Sequence, residues 1–280
     1  MTSLNPALEV RTRTRTTGSR AVLVLSALVL ALVAAVLVFP DWFVHLSPDT
    51  NDVQHTFQPP SAAHPLGTDQ LGRDVYSRLI HGARYSVTTG LVATAIGVVM
   101  GAALGLVAVG SRIADMLIMR LTDVWLAFPE VLLALLVIAL VGTGSAQIAV
   151  ALGVAAAPYY ARLVRGQALA VAKAEYVGAA KTLGVHPIRT ALRHVLPNVG
   201  GPVVVLASLG TGTAVTAAAG LSLLGLGPLP PTPEWGVMLA EGQSYLANAW
   251  WIAVFPGLAI VAVVLAATLL GRSLQARSVR

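Results

Sequence analysis

Six long apolar runs constrain this chain more than any other feature. The first, Ala21–Phe39, is 19 residues without a charge. Five more follow at about Ser86–Val109, Met116–Val141, Gln147–Leu163, Val199–Gly220 and Trp250–Gly271. A helix of about 20 residues rises about 30 Å, the thickness of a bilayer's hydrocarbon core. Only 11% of the residues are charged, against about 25% in soluble domains. The expectation is an all-α, polytopic membrane protein with six transmembrane helices.

The first run follows the basic stretch RTRTRTTGSR and precedes FPDWF. A cleaved signal peptide has a shorter apolar region and a small-residue cleavage site. A retained helix ending at Pro40 is therefore expected. With the N-terminus inside, 15 of the 18 Lys and Arg lie in cytoplasmic segments, and only Arg73, Arg78 and Arg84 lie outside. The positive-inside rule selects this orientation, with both termini cytoplasmic. The chain then divides into a basic tail (1–20), a first helix (21–39), an extracytoplasmic segment (40–84), a five-span core (85–271) and a short cytoplasmic tail (272–280). The core carries a cytoplasmic loop at 165–198 and an outer loop at 221–249.

The basic balance is explained by these inner loops. No aromatic-interleaved basic patch points to nucleic acid. With no Cys, neither a disulfide nor a thiolate metal site can form. No Gly-Lys dipeptide exists, so there is no phosphate-binding G-x-x-x-x-G-K-[ST] loop. No H-E-x-x-H occurs, and His45, His55 and His64 lack ligand spacing. Gly142-Thr-Gly-Ser-Ala does not match a nucleophile elbow. These features imply a non-catalytic chain without metal or cofactor, whose energy comes from elsewhere.

Inside the membrane, Gly97, Gly101 and Gly105 recur every fourth residue, as do Ser208, Gly212, Thr216 and Gly220. Such ridges let helix backbones approach closely. Alternatively, the stripe at Ser208, Gly212 and Thr216 lines a path, with the hydroxyls of Thr211, Thr213 and Thr216 facing water. The third span carries Asp115 and Asp123, then Glu130 after Pro129, and that proline is expected to kink or break it. No span carries Lys, Arg or His in its middle, which argues against a proton relay. On the outer side, Asp69, Arg73 and Asp74 form either a gate or partner contact, or a self-satisfied ion-paired turn.

The polar stretch EYVGAAKTLGVHPIRTALRHVLPN at 175–198 interrupts the apolar chain. Tyr176, Ala179, Ala180 and Leu183 fall on one helical face. Gly184 suits a helix end and Pro187 the first turn of a following helix, which Pro197 would stop. A small apolar face on a cytoplasmic helix suits a groove in a partner protein, or the headgroups of anionic lipid.

The spacing of this stretch resembles the EAA loop of ABC-importer permeases, E-A-A-x3-G-x9-I-x-L-P. Ala179-Ala180, Gly184 and Leu196-Pro197 fit that register, while Gly178 and His194 replace its Glu and Ile. With Glu175 three residues earlier, the stretch is similar to the variant found in dipeptide, oligopeptide and nickel permeases. HPLGTDQLGRDVYSRLIHGARYS, DVWLAFPE, GLSLLGLGPLPPTPEWGVML and AWWIAVFPGLAI resemble further blocks of that family, most of all its C-type subunit. Arg272 departs from the Asp usual after LLG. The resemblance implies a MetI-like permease core in the last five helices, paired with a second related permease subunit. It implies two cytoplasmic ATPases that bind ATP and Mg, and an extracytoplasmic binding protein delivering di- or oligopeptides, or alternatively nickel or another small solute. Glu175, Tyr176, Ala179, Ala180, Leu183, Gly184, Pro187, Leu196 and Pro197 would form the ATPase-coupling element. A secondary transporter would instead need inverted repeats, broken helices and a midplane ion site, of which this chain has one broken helix.

Overall fold

A computed structural model describes residues 17–172, 193 and 196–278. The described elements are helical, with one isolated β-bridge between Thr68 and Asp74. Helix α1 spans Thr17–Val38. It ends where Pro40, with no N–H to give, opens the 3-10 turn Pro40–Trp42. Val33, Val36 and Leu37 of α1 pack on a cluster shared with the last helix. Phe39 and Trp42 stack at 4.6 Å beside the end of α1, and Trp42 is exposed. Aromatic side chains at such a position suit the membrane–water interface.

Helix α2 runs Val75–Gly110 for 36 residues, starting well before the apolar run at Ser86. The Asp74 carboxylate caps it, accepting from Ser77 N at 2.7 Å. A capped start makes the polar sequence from Val75 onward helical before the apolar run begins. Helices α3 (Arg112–Leu126) and α4 (Glu130–Val141) meet at 96°. Pro129 breaks this third span, as expected, because its ring cannot donate a backbone hydrogen bond and disfavours helical geometry at Phe128.

Helix α5 is Ser145–Ala172, with Pro158 inside it. Helix α6 is Leu196–Leu221, with Pro202 inside it. Pro197 occupies the first turn of α6, where a missing N–H costs nothing. The turn Ser222–Leu226 follows, with Gly225 at φ 83°. Within the expected outer loop lies helix α7, Trp235–Gln243, capped by Glu234 through Val237 N at 2.9 Å. Helix α8 is Trp251–Ser278.

Four stretches are long and apolar enough to cross a membrane: Val75–Gly110, Ser145–Ala172, Val199–Leu226 and Trp251–Ser273. The bent α3–α4 pair makes a fifth, and α1 contributes the shorter apolar stretch Val24–Val38. The chain is thus an all-α, multi-pass membrane protein.

The tightest packing joins α2 to α5. A Cβ on Gly101 would lie 2.4 Å from Tyr160 Cβ and 2.7 Å from the Ala157 carbonyl oxygen. On Gly105 it would lie 2.7 Å from the Ala161 carbonyl oxygen, and on Gly153, in return, 2.8 Å from that of Ala93. The glycine ridge of α2 therefore meets backbone, which cannot yield as a side chain can. Lipid supplies no hydrophobic push between helices, so such close contact is what holds them. Gly101→Val is expected to destabilise the protein by about 1–3 kcal/mol through overpacking. Gly166→Ala, with open space around its position, should leave thermal unfolding in detergent unchanged. The two melting curves check this.

Candidate functional site

A cavity of about 310 Å³ opens between α2, the α3–α4 break, α5 and α6. Ala93 and Thr94 of α2 form one wall. Trp125, Leu126, Phe128, Glu130 and Leu133 come from the broken span, and Leu152, Ala155, Ala156, Tyr159 and Tyr160 from α5. The fourth wall, on α6, is Leu206, Leu209, Gly210, Thr213 and Ala214. Tyr160 packs against Gly210, where any added Cβ would strike its hydroxyl. Glu130 is the one formally charged residue in this lining.

The stripe at Ser208, Gly212 and Thr216 faces elsewhere. Gly212 backs onto Val264 of α8, and Ser208 lies against Gly271. Thr216 is exposed, its hydroxyl donating to the Gly212 carbonyl at 3.1 Å. Thr211 and Thr213 likewise donate to Ala207 and Gly210 of their own helix, at 3.0 and 2.9 Å. Small residues thus serve close approach to α8, and the neighbouring face of α6 lines the cavity. Of the three threonines, Thr213 is on that face.

Two acids of the broken span are ion-paired to α5. Asp115 accepts from Arg165, with its second arm at 2.7 Å, and Asp123 pairs with Arg162. These pairs fasten α3 along α5. Glu130 has no hydrogen bond or ion pair with any described residue. A carboxylate therefore stands at the break, next to the proline that makes it.

At the start of α2, on the side assigned to the outside by the distribution of Lys and Arg, Asp69, Arg73 and Asp74 are buried in a network that the sequence only partly shows. Arg73 and Arg78 are each 1% exposed. Asp69 accepts from Arg73 Nε at 2.6 Å and lies 3.6 Å from Arg78 Nε. Glu241 of α7 receives one bond from each arginine, both at 3.1 Å. Arg78 also donates to the Pro231 carbonyl at 3.3 Å. Asp74 caps α2 and holds His64 at 2.9 Å. Two arginines facing Asp69 and Glu241 make a charge-balanced core, as burial requires.

The same outer layer is tied by neutral bonds. Ser86 donates to Glu234 at 2.8 Å and accepts from Trp235 N at 2.9 Å. The indoles of Trp235 and Trp251 donate to the carbonyls of Leu79 and Thr68, at 2.9 and 3.0 Å. The turn before α2 needs Gly72 at φ 72°, since a Cβ there would lie 1.7 Å from the Asp52 carbonyl oxygen. On the surface of this turn, a hydrogen bond with His55 holds the Asp52 carboxyl below its usual range. The blocks 64–86 and 231–251 thus form one polar knot. Sequence reasoning missed Arg78, Glu234, Ser86 and Glu241 because their partners lie about 150 residues away.

Residues 88–280 match the model of a family described as the binding-protein-dependent transport system inner membrane component. The chain belongs to that family. The di/tripeptide transport system permease protein of Pseudomonas aeruginosa is 40% identical over 255 residues, 89% of this chain and 84% of that protein. The glutathione transport system permease protein of Escherichia coli O6:K15:H31 is 40% identical over 256 residues, 89% and 83% of the two chains. The dipeptide transport system permease protein of Alkalihalophilus pseudofirmus is 40% identical over 219 residues, 78% and 72%. Among solved structures, the inward-facing MetNI methionine ABC transporter shares the fold, with a TM-score of 0.56 at 20% identity over 71% of this chain and 95% of that one. An amino acid ABC transporter matches similarly, with a TM-score of 0.57 at 17% identity over 72% and 94%.

A permease subunit of this family is not itself an enzyme. ATP hydrolysis belongs to partner ATPases, and a binding protein supplies the solute. Of the residues that the sequence resemblance assigns to ATPase coupling, Glu175, Tyr176, Ala179, Ala180, Leu183, Gly184 and Pro187 lie outside the described residues, while Leu196 and Pro197 open α6. Breaking a buried ion pair from one side costs about 3–5 kcal/mol. Glu241→Ala leaves two buried arginines with Asp69 as their one ion-paired carboxylate among the described residues and should lower the permease's melting temperature sharply. Asp123→Ala, which breaks an exposed pair, should shift it little. Thermal unfolding of both variants in detergent checks the contrast.

Proposed function

We propose that this permease forms half of the translocation path for di- or oligopeptides in an ATP-driven importer. A second, related permease subunit forms the other half, and an extracytoplasmic binding protein delivers the peptide. Two cytoplasmic ATPase domains grip the loop at 175–198. The observation that carries this reading is topological. The loop joins the end of α5 at Ala172 to the start of α6 at Leu196, and both helices line the cavity. Any displacement of the loop is therefore delivered along the chain to two walls of the cavity.

Alternating access follows by rigid-body movement. Closure of the ATPase dimer on ATP draws the coupling element of each permease inward. α5 and α6 turn with it, and α5 carries α3 through Arg162–Asp123 and Arg165–Asp115. Hydrolysis then resets the pair. The similarity to di/tripeptide, dipeptide and glutathione permeases supports a peptide substrate. Both termini are assigned to the cytoplasm on the distribution of Lys and Arg.

Three measurements test the reading. In a strain lacking this chain, uptake of labelled dipeptides and oligopeptides is expected to stop, with nickel uptake unchanged. The reverse result would identify a nickel permease. A tag on the chain should co-purify two ATPase domains and a second permease. Gly184→Pro and Leu183→Asp should abolish binding-protein-stimulated ATP hydrolysis, and full stimulation in both variants would remove the loop from the coupling mechanism.

A further inference from the structure

A carboxylate in a membrane span is costly, and where it persists it is either paired or in use. The three acids of the broken span divide along that line. Asp115 and Asp123 are paired with arginines of α5. Glu130 has no hydrogen-bond or ion-pair partner among the described residues, and it lines the cavity. Nor does it cap its own helix. Pro129 occupies the N-cap of α4, and no side chain bonds the helix's first N–H groups. Among the described residues, its charge is met only by the N-terminal end of α4, whose first turn it occupies.

The remaining lining defines what the charge can meet. Trp125, Phe128, Tyr159 and Tyr160 are aromatic, and no Lys, Arg or His among the described residues lines the cavity. One carboxylate among aromatic faces attracts a cation, through both the ion pair and the ring quadrupoles. The buried indole Nε1 of Trp125, a second polar group of this wall, likewise has no acceptor among the described residues. The volume of about 310 Å³ lies at the small end of the roughly 300–1,000 Å³ typical of ligand pockets. It suits one end of an extended solute better than a whole oligopeptide.

We infer that Glu130, framed by Trp125, Phe128, Tyr159 and Tyr160, is a binding subsite for the ammonium group of the solute in transit. The inference rests on the peptide-permease reading, because a peptide's α-amino group, with a pKa of about 8, is cationic at neutral pH. The subsite lies where α3 and α4 diverge. The bend places the carboxylate in the cavity rather than along a continuous helix face. Occupied, it would hold the amino terminus between the walls supplied by α5 and α6 while the loop between them is gripped.

The test uses the complete transporter in liposomes, with binding protein saturated by a labelled dipeptide. Initial uptake and binding-protein-stimulated ATP hydrolysis are measured together. Glu130→Gln should lower uptake about tenfold or more, with stimulated hydrolysis retained, and Glu130→Asp should restore most of the uptake. Wild-type uptake by Glu130→Gln would overturn the inference and leave the peptide reading standing. So would a parallel loss of uptake and hydrolysis in both variants, since a merely structural carboxylate behaves that way. A wild-type complex that imports no dipeptide would instead overturn the peptide reading, and this subsite with it.

Discussion

The contact between α2 and α5 underlies the arrangement of the other parts. Lipid is as apolar as a leucine side chain, so helices in a bilayer associate by fit rather than by escape from water. Gly97, Gly101 and Gly105 remove every side chain that would hold α2 away from Tyr160, Ala157 and Ala161. Tyr160 is consequently pressed between α2 and Gly210 of α6, which positions one wall of the cavity against another. The arginines that fasten α3, Arg162 and Arg165, lie on α5 just beyond this contact.

Two opposite treatments of charge flank that packed centre. On the outer side, Arg73 and Arg78 are buried, and Asp69 and Glu241 answer both of them. The low dielectric there makes pairing obligatory, since a charge without a partner would cost several kcal/mol. In the cavity, Glu130 has no hydrogen-bond or ion-pair partner among the described residues. The first arrangement ties the segment before α2 to α7 and gives the outer layer rigidity. The second leaves a charge on the surface of a cavity between helices. Balanced and unbalanced charge are thus placed in separate layers of one helix bundle.

The broken third span shows how far local chemistry carries. Pro129 announced the break, and the structure supplies its angle of 96°. It also shows that the break puts Trp125, Phe128 and Glu130 around one cavity. Proline restricts its own residue and the one before it, so a break is visible locally. The direction taken by the next helix depends on what α4 packs against, namely α5, with which it shares the buried cluster that includes Ile148 and Leu152. Those residues lie on another helix. The same limit explains the stripe at Ser208, Gly212 and Thr216, whose spacing defines a face but not the neighbour of that face.

The apolar runs by themselves determined that this chain is a helical membrane protein, because a continuous apolar run of about 20 residues satisfies its backbone hydrogen bonds in a bilayer as a helix, whereas a barrel strand is shorter and alternates. Spacing alone also determined the glycine ridge of α2 and the proline break, and the motif register determined the family. The tertiary structure decided which charges are structural. It buried Arg78 against Glu241, 163 residues away, and paired Asp115 with Arg165, 50 residues away. It also turned Thr213 rather than Ser208, Gly212 or Thr216 toward the cavity. Hydropathy and helical period report how a residue relates to its own helix. Burial of charge and lining of a cavity are relations between helices, and they exist only once the bundle is assembled.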